Sequence, residues 1–205
     1  MKWSYSRDLV LSTFLDYPEI LFTGVFYKQE MIENMHVNFD TFREVEFQNC
    51  KFTNVTFHNV FLGKVRFINC EFSKVNFLES NFSKVVFQNS KFTSCSIFET
   101  DLGNVLFTEC KMQYSKLEHD KIENSKFEDL KFVENIHRRN KYKNCDFARC
   151  EFESEQFIDA KFLDCNLLTS HFRDILVNVD DFITSKLSIL GMIEILGDKG
   201  IILED

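Results

Sequence analysis

Apolar side chains recur at every fifth position through most of the chain, from Phe42 to Phe172. Of the 27 positions in this series, 18 are phenylalanine, and only His137 is not a bulky apolar or aromatic residue. An α-helix has a period of 3.6 residues and a strand a period of two, so neither produces this spacing. The pattern predicts a repeat structure in which five-residue units stack and share a continuous core.

A second series, two residues before each apolar position, holds mainly small side chains: Val, Cys, Ser, Ala or Thr. The remaining three positions of each unit are mostly polar and are expected to face water. All seven cysteines belong to the small series: Cys50, Cys70, Cys95, Cys110, Cys145, Cys150 and Cys165. We therefore expect them to pack as small buried side chains, and their odd number argues against a fully paired disulfide framework.

Units such as CKFTN, CEFSK and SNFSK resemble the unit of the pentapeptide-repeat family: a small residue, a polar residue, Leu or Phe, and two further polar residues. The resemblance implies an all-β fold, a right-handed quadrilateral parallel β-helix in which four units form one coil. About seven coils are expected, with residues twenty apart stacked on each other. An outer column of Asn49, Asn69 and Asn89 is then expected to form an amide ladder.

The pattern divides the chain into three parts. Residues 1–19 are expected to form an N-terminal cap, residues 20–177 the β-helix, with its clearest register over 38–174, and residues 178–205 a C-terminal element of a helix and a short strand. Within the last part, Asp180 is expected to cap a helix through FITSKLSILGMIEIL, and GIILED to form the strand.

The C-terminal element is similar to the dimerising end of the gyrase-protecting, quinolone-resistance members of the family. The resemblance implies a homodimer through the C-terminus; the alternative is a monomeric cap on the last coil. The candidate interface residues are Phe182, Leu187, Leu190, Ile193, Ile201 and Ile202.

The pattern weakens between residues 115 and 157. Small positions there hold Asp120, Asn135, Asn140 and Glu155, and His137 takes an apolar position. We expect residues 133–141 to form a protruding loop or a distorted face with a basic tip at Arg138, Arg139, Lys141 and Lys143. A solvated bulge with His137 exposed and a binding loop both remain open, since loops on rigid scaffolds often carry function.

The sequence contains no motif for nucleotide binding, hydrolysis or zinc-dependent catalysis. We therefore expect no enzyme activity, no catalytic residue, no cofactor and no metal site. Outward apolar residues are the better candidates for function: Leu78 and Phe98 are expected to stack on one face, and Val86 and Leu106 on the opposite one. Such residues are either ordinary scattered surface side chains or a partner-binding surface.

The N-terminal sequence lacks the features of a signal peptide, and no apolar stretch is long enough to span a membrane. A cytoplasmic protein that does not insert into a membrane is therefore expected.

These features favour a non-catalytic protein-interaction module over an enzyme. The resemblance implies an alternative, a DNA mimic that binds DNA gyrase or another topoisomerase and protects it from quinolones. The net charge of −8 agrees with this alternative, but residues 38–172 hold 18 basic and 20 acidic side chains. Because duplex DNA carries one charge per about 1.7 Å, a nearly neutral coil copies it poorly. Nucleic-acid binding, suggested by Arg138, Arg139 and the column Lys121, Lys141 and Lys161, is the least favoured class.

Overall fold

The computed structural model describes residues 4–5 and 21–197. The cap expected for residues 1–19 lies outside this part of the chain, apart from the strand Ser4–Tyr5. The terminal strand GIILED, with Ile201 and Ile202, also lies outside it.

Residues 21–187 form a right-handed quadrilateral parallel β-helix, and the whole solenoid has about eight turns. This confirms the expected fold class, although the coil is about one turn longer than the sequence predicted. The turns place short strands on four faces, and from residue 21 onward every strand pairs in parallel with the strand twenty residues away.

The first face has the strands Leu21–Thr23, Thr41–Arg43, Phe61–Gly63, Asn81–Ser83, Asp101–Gly103, Lys121–Glu123, Lys141–Lys143, Lys161–Leu163 and Phe182–Ile183. The second face has Ser4–Tyr5, Val25–Lys28, Glu46–Gln48, Arg66–Ile68, Val86–Gln88, Leu106–Thr108, Lys126–Glu128, Asp146–Ala148, Asn166–Leu167 and Lys186–Leu187.

The third and fourth faces are joined into one sheet because the strands Met31–Asn38 and Lys51–His58 pass around their shared corner. The third face continues with Glu71–Ser73, Lys91–Thr93, Lys111–Gln113, Lys131–Val133, Glu151–Glu153 and His171–Arg173. The fourth continues with Asn76–Leu78, Ser96–Phe98, Lys116–Glu118, Ile136–Arg138 and Gln156–Ile158.

The interior is a set of aromatic columns. On the second face the ring centroids of Phe47 and Phe67 are 5.0 Å apart and those of Phe67 and Phe87 are 4.9 Å apart, with nearly parallel planes. On the third face, Phe72 and Phe92 stack at 4.7 Å. These distances match the spacing of neighbouring strands, about 4.8 Å, so in-register pairing and ring stacking reinforce each other.

The corners of the coil are made without proline and with almost no glycine. From Phe42 to Phe162, the residue two positions after each position of the five-residue series adopts a left-handed backbone, as at Asn49 (φ 54°), Asn69 (φ 54°) and Asn89 (φ 47°). Asparagine tolerates this region better than most residues, which explains its frequency there. The Asn69 amide donates to Asn49 Oδ1 at 3.1 Å and the Asn89 amide to Asn69 Oδ1 at 2.9 Å, which confirms the expected ladder.

The C-terminal region differs from the prediction. Asp180 does not cap a long helix: it lies in a single 3₁₀ turn, Val179–Asp181, which is capped by the side chain of Asn178. The α-helix comprises only Ile189–Gly197, and the Ser188 hydroxyl accepts a bond from Gly191 N at 2.9 Å. The coil continues to Leu187 because Phe182 keeps the five-residue register and stacks on Phe162 at 4.9 Å.

The C-terminal helix closes the coil. Ile195 is fully buried and seals the aromatic interior. Glu194 accepts a hydrogen bond from the backbone N of Phe172 at 2.9 Å, so its carboxylate satisfies an edge amide that a further strand would otherwise bind.

Candidate functional site

Leu78 and Phe98 lie where the sequence placed them, directly paired on neighbouring strands of the fourth face. Both are half-buried, and both point outward because they follow an inward apolar residue. The Phe98 ring contacts the His119 ring edge-on at 5.8 Å. Two coils towards the N-terminus, the exposed Phe39 contacts His58. The fourth face therefore carries a stripe of apolar and imidazole side chains, which we call the apolar stripe: Phe39, His58, Leu78, Phe98 and His119.

Val86 and Leu106 are paired in the same way on the second face, opposite the apolar stripe. Both are half-buried. Arg66 precedes Val86 in this column and Lys126 follows Leu106, so the apolar pair is bounded by basic side chains.

His137 is not exposed, and residues 133–141 do not form a loop. Its strand Ile136–Arg138 pairs in register with Lys116–Glu118 and Gln156–Ile158, and the side chain is 1% exposed. The imidazole stacks on the Phe157 ring at 4.6 Å, as a phenylalanine would. The expectation of a protruding loop or distorted face at 133–141 is therefore wrong: an aromatic imidazole fits the column as long as its nitrogens have partners.

Those partners form an internal polar cluster. His137 Nε2 lies 2.8 Å from Glu155 Oε2, and His137 Nδ1 lies 2.6 Å from the Tyr142 hydroxyl. Glu155 Oε1 also accepts bonds from the backbone N of Asn135 at 3.0 Å and from its side-chain amide at 2.9 Å. Asn140 accepts from Asp120 N at 3.0 Å and donates to Leu117 O at 2.8 Å. Polar residues at small positions thus satisfy one another across adjacent coils.

The order Tyr142, His137, Glu155 has the geometry of a hydroxyl, a base and an orienting carboxylate. However, none of the three side chains is more than 3% exposed. No substrate reaches this hydroxyl, and burial raises the pKa of Tyr142 well above its usual value. The cluster is consequently a structural element of the core.

Asp120 is the least satisfied member of this region. Its Oδ1 accepts from Thr100 N at 2.9 Å, while its Oδ2 has no hydrogen-bond partner among the described residues. Burial raises the pKa of the carboxyl well above its usual value, because an ionised carboxylate is poorly solvated there. Burial therefore favours the neutral acid over the carboxylate at Asp120.

Arg138 and Arg139 are exposed on the fourth face and at its corner. Each pairs with a carboxylate twenty residues away, Arg138 with Glu118 at 3.5 Å and Arg139 with Asp159 at 3.7 Å. They belong to a flat, charge-compensated surface and do not form the basic loop tip expected from the sequence.

This spacing of twenty governs the whole described surface. With the exception of the Lys131–Glu153 contact, every ion pair there between a basic Lys or Arg and an acidic residue joins positions twenty apart, as in Lys51–Glu71, Lys64–Glu44 and Arg149–Asp129. The third face departs from the rule in its middle coils, where Lys91 pairs in register with Lys111. These two lysines were not sequence-based candidates, although a comparison at a period of twenty places them in one column.

A family model for the pentapeptide repeat region matches residues 40–117 and, in an overlapping match, residues 62–135. Together the two matches cover residues 40–135. The chain therefore contains a pentapeptide-repeat region, and its four-faced coil continues the same five-residue register on both sides of it. No curated protein matches it significantly in sequence.

Several pentapeptide-repeat structures are similar to this chain at low identity. HetL from the cyanobacterium Nostoc sp., involved in heterocyst differentiation regulation, is 8% identical, with 85% of this chain and 89% of HetL covered and a TM-score of 0.44. A trypsin-treated form of QnrB1, a plasmid-mediated fluoroquinolone resistance protein, is 13% identical, with coverage of 92% and 100% and a TM-score of 0.49. Rfr23 from the cyanobacterium Cyanothece is 9% identical, with coverage of 75% and 86% and a TM-score of 0.34.

The candidate dimer residues of this pentapeptide-repeat protein are divided between two environments. Leu190 and Ile193, on the C-terminal helix, are 52% and 44% exposed, beside Ile189 at 83%. Phe182 and Leu187 instead belong to strands of the coil and are half-buried against its core. Among the four candidates that the structure describes, the exposed ones therefore both lie on the helix.

Within residues 21–197, no group of His, Cys, Asp or Glu side chains has the arrangement of a metal site. The described surface has shallow grooves, such as one of about 330 Å³ on the first face lined by Phe61, Gly63 and Ser83. None of the described helices has the length and apolar character required to cross a membrane.

Proposed function

We propose that this pentapeptide-repeat protein is a non-catalytic protein-binding module whose partner contacts the apolar stripe at Leu78 and Phe98. The observation that carries the proposal is their direct pairing on a regular sheet, where two apolar side chains face outward between polar columns. Contiguous outward apolar groups on an otherwise polar surface are typical of partner-binding sites.

The coil supports this role through its rigidity. The strand Ser96–Phe98 is hydrogen-bonded on both sides, to Asn76–Leu78 and to Lys116–Glu118. The inward Phe77 and Ile97 beneath the stripe are 1% and 4% exposed. A partner therefore meets a surface whose backbone is already ordered, which lowers the entropy cost of association. The triad-like group of Tyr142, His137 and Glu155 is sealed in the core, which agrees with a role without catalysis.

The proposal includes a homodimer through the C-terminal helix. Leu190 and Ile193 lie three positions apart on one helix, so they share a face, and Ile189 extends the apolar surface. A two-fold contact between two copies of this helix would remove these side chains from water.

A DNA-gyrase or topoisomerase partner is the alternative. The net charge of −8 favours it, whereas the charge pairing along the coil favours a partner that is not a DNA-binding enzyme. A supercoiling assay with purified gyrase, with and without a quinolone, tests this alternative: neither protection nor inhibition at a large molar excess of the protein rejects it.

The main proposal is tested by placing a photo-crosslinking amino acid on the fourth face, at Ser96, in cells that naturally make the protein. We expect a discrete crosslinked species that is lost in a Leu78→Ser/Phe98→Ser variant. The matched control is Val86→Ser/Leu106→Ser, which removes two equally half-buried apolar residues from the opposite face. Loss of the species in the control alone would move the contact to the second face, and its persistence in both variants would reject the proposal.

A further inference from the structure

The middle coils of the third face carry an uncompensated group of basic side chains, which we call the lysine patch: Lys74, Lys91, Lys111 and Lys116. Lys91 is exposed on the third face and Lys111 is half-buried beside it. Lys74 is exposed at the corner between the third and fourth faces, and Lys116 is exposed just past that corner on the fourth face. None of the four forms an ion pair with any described residue. On this face no acidic residue occupies an outward position between Glu71 and Glu134.

Lys91 and Lys111 are direct partners on adjacent parallel strands, whose spacing is about 4.8 Å. Like charges in this position destabilise a sheet. The other lysine column, Lys121, Lys141 and Lys161 on the first face, is relieved at both ends, because Asp101 binds Lys121 and Asp181 binds Lys161. At the N-terminal end of the third-face column, Lys51 has an acidic neighbour, Glu71, and the two side chains meet at 3.0 Å.

The neighbouring carboxylates do not relieve this repulsion. Glu71 lies next to Lys91 in the column but forms its ion pair with Lys51 on its other side. Glu109 lies around the corner from Lys111 and forms no ion pair with it. Lys131, the next lysine in the column, is already bound by Glu151 and Glu153, each at 3.3 Å. The positive charge at Lys91 and Lys111 is therefore available to an external anion.

The rest of the lysine patch is suited to hydrogen bonding with a polar ligand. Thr93 and Gln113 lie between the lysines and are linked by a 3.4 Å bond from the Gln113 amide to the Thr93 hydroxyl. Tyr114 at the edge of the patch is 53% exposed. A flat surface of lysines, amides and hydroxyls with one exposed ring fits an anionic segment that lies across the strands.

We propose that the lysine patch binds a short acidic segment of a protein partner. The length of the patch decides between an acidic polypeptide and a nucleic acid. It is bounded by Glu71 at one end and Glu134 at the other, so it spans about three coils, on the order of 14 Å. Four or five extended residues, at about 3.3 Å each, fill this length, whereas a longer polyanion would run into the acidic residues at both ends.

This inference deepens the proposed function and rests on it for the class of partner. The lysine patch and the apolar stripe are adjacent, since Lys116 and Ser96 lie on the same face as Phe98. A partner that contacts both surfaces would combine an acidic segment with apolar side chains.

The test is fluorescence anisotropy with a labelled peptide of alternating glutamate and serine, about five residues long, and an oligothymidylate of equal charge as the second probe. At about 50 mM salt, where charges are weakly screened, we expect the peptide to bind. We expect a Lys91→Gln/Lys111→Gln variant to bind it roughly tenfold more weakly. The matched control is Lys141→Gln/Lys143→Gln on the first face, which removes the same charge from lysines that form no ion pair with described residues.

Equal weakening in both variants would show unspecific attraction and reject the inference. Tighter binding of the oligothymidylate than of the peptide, lost in the Lys91→Gln/Lys111→Gln variant, would reassign the lysine patch to nucleic acid. If neither probe binds, the inference is also rejected. The Leu78→Ser/Phe98→Ser variant is expected to retain peptide binding, so failure of the lysine patch and failure of the apolar stripe are separate results. Thermal melting by circular dichroism confirms that each variant is folded.

Discussion

His137 Nε2 lies 2.8 Å from Glu155 Oε2 inside the coil, and both side chains are at most 1% exposed. Removal of one partner leaves the other buried without its bond, which typically costs about 3–5 kcal/mol. We therefore expect His137→Phe to lower the free energy of unfolding by this amount, although phenylalanine is the residue that the column otherwise prefers. Urea denaturation followed by circular dichroism measures the loss.

A variant that replaces the whole polar cluster distinguishes the effect of the lost hydrogen bonds from the effect of changed packing. Asn135→Ser, His137→Phe, Tyr142→Phe and Glu155→Ser together replace the cluster by residues used elsewhere at the same positions. Since exchanging a whole buried polar group for apolar side chains is often neutral, stability should return to within about 2 kcal/mol of the native protein. A single His137→Phe protein as stable as the native one would contradict the role assigned to the cluster.

Asp120 predicts a distinct pH dependence. Because its folded pKa is raised, its contribution to stability is fully present below the unfolded pKa of about 3.9 and is lost as pH rises through the folded pKa. Between these two pKa values the free energy of unfolding falls by about 1.4 kcal/mol per pH unit. Asp120→Asn removes the titrating group and with it this pH dependence of the free energy of unfolding. The variant should therefore gain stability over the native protein as pH rises above the pKa of Asp in the unfolded chain, about 3.9.

Asn140, in the equivalent position one coil after Asp120, shows why an amide suits this position. It accepts a hydrogen bond from Asp120 N and donates one to Leu117 O. Thermal melting of Asp120→Asn at several pH values measures the effect, with the exposed Asp101→Asn as the control. A gain in stability that does not change with pH would argue against a neutral carboxylic acid at Asp120.

The seven buried thiols should be unreactive in the folded protein. All are free and buried, and burial raises the pKa of Cys95 and Cys110 to about 11 and that of Cys150 to about 12. Because the thiolate is the reactive form, we expect Ellman's reagent to modify them only after unfolding in urea. Fast modification of the native protein at neutral pH would contradict this packing.

Serine should replace these cysteines at little cost. Cys110 Sγ lies 3.4 Å from Phe87 O and 3.2 Å from Thr108 O. Ser90, in the equivalent position one coil earlier, donates to Phe67 O and Gln88 O. We expect Cys110→Ser to change the free energy of unfolding by less than about 1 kcal/mol, measured by urea denaturation.

The left-handed corners predict which substitutions the surface tolerates. Asn69→Ala and Asn69→Gly both remove the ladder bonds to Asn49 and Asn89. Only alanine places a Cβ in the unfavourable region at φ 54°, so the alanine variant should be less stable than the glycine variant by roughly 1 kcal/mol. Equal melting temperatures of the two variants would contradict this backbone assignment.

The proposed dimer is tested by light scattering at micromolar concentration. We expect a dimer for the native protein and a monomer for Leu190→Glu/Ile193→Glu, since a charge on each apolar position opposes burial. Ile183→Glu is the control, because Ile183 is as exposed as Ile193 but lies on the first face. A native monomer, or a dimer that survives the helix substitutions, would reject the proposed interface.

The sequence predicted the coil because the apolar residue of each unit must point inward whatever its neighbours are. It failed at His137, whose partner Glu155 lies eighteen residues away and looks equally unfavourable in isolation. Two polar residues that each interrupt the pattern become compatible once adjacent coils bring them together. Local pattern cannot show this, because the compensation exists only in the stacked structure.

The predicted start of the C-terminal helix at Asp180 was wrong for a similar reason. Asp180 has the character of a helix cap, but Phe182 and Leu187 also continue the five-residue register, and stacking on Phe162 and Leu167 prevails. A period of twenty shows which lysines share a column, but it does not show which of them are bound by a carboxylate. Lys91 and Lys111 stand out only in the folded structure, where Glu71 binds Lys51, and Glu151 and Glu153 bind Lys131.

The strict geometry of the corners limits how such a chain can change in length. Each corner residue, such as Asn49 or Asn69, redirects the chain onto the next of four faces. Deletion of a single unit between Phe98 and Lys111 would rotate everything after it by a quarter turn and separate Lys91 from Lys111. Additions and losses of twenty residues preserve every vertical neighbour, so whole coils are the natural module by which this surface is extended or shortened.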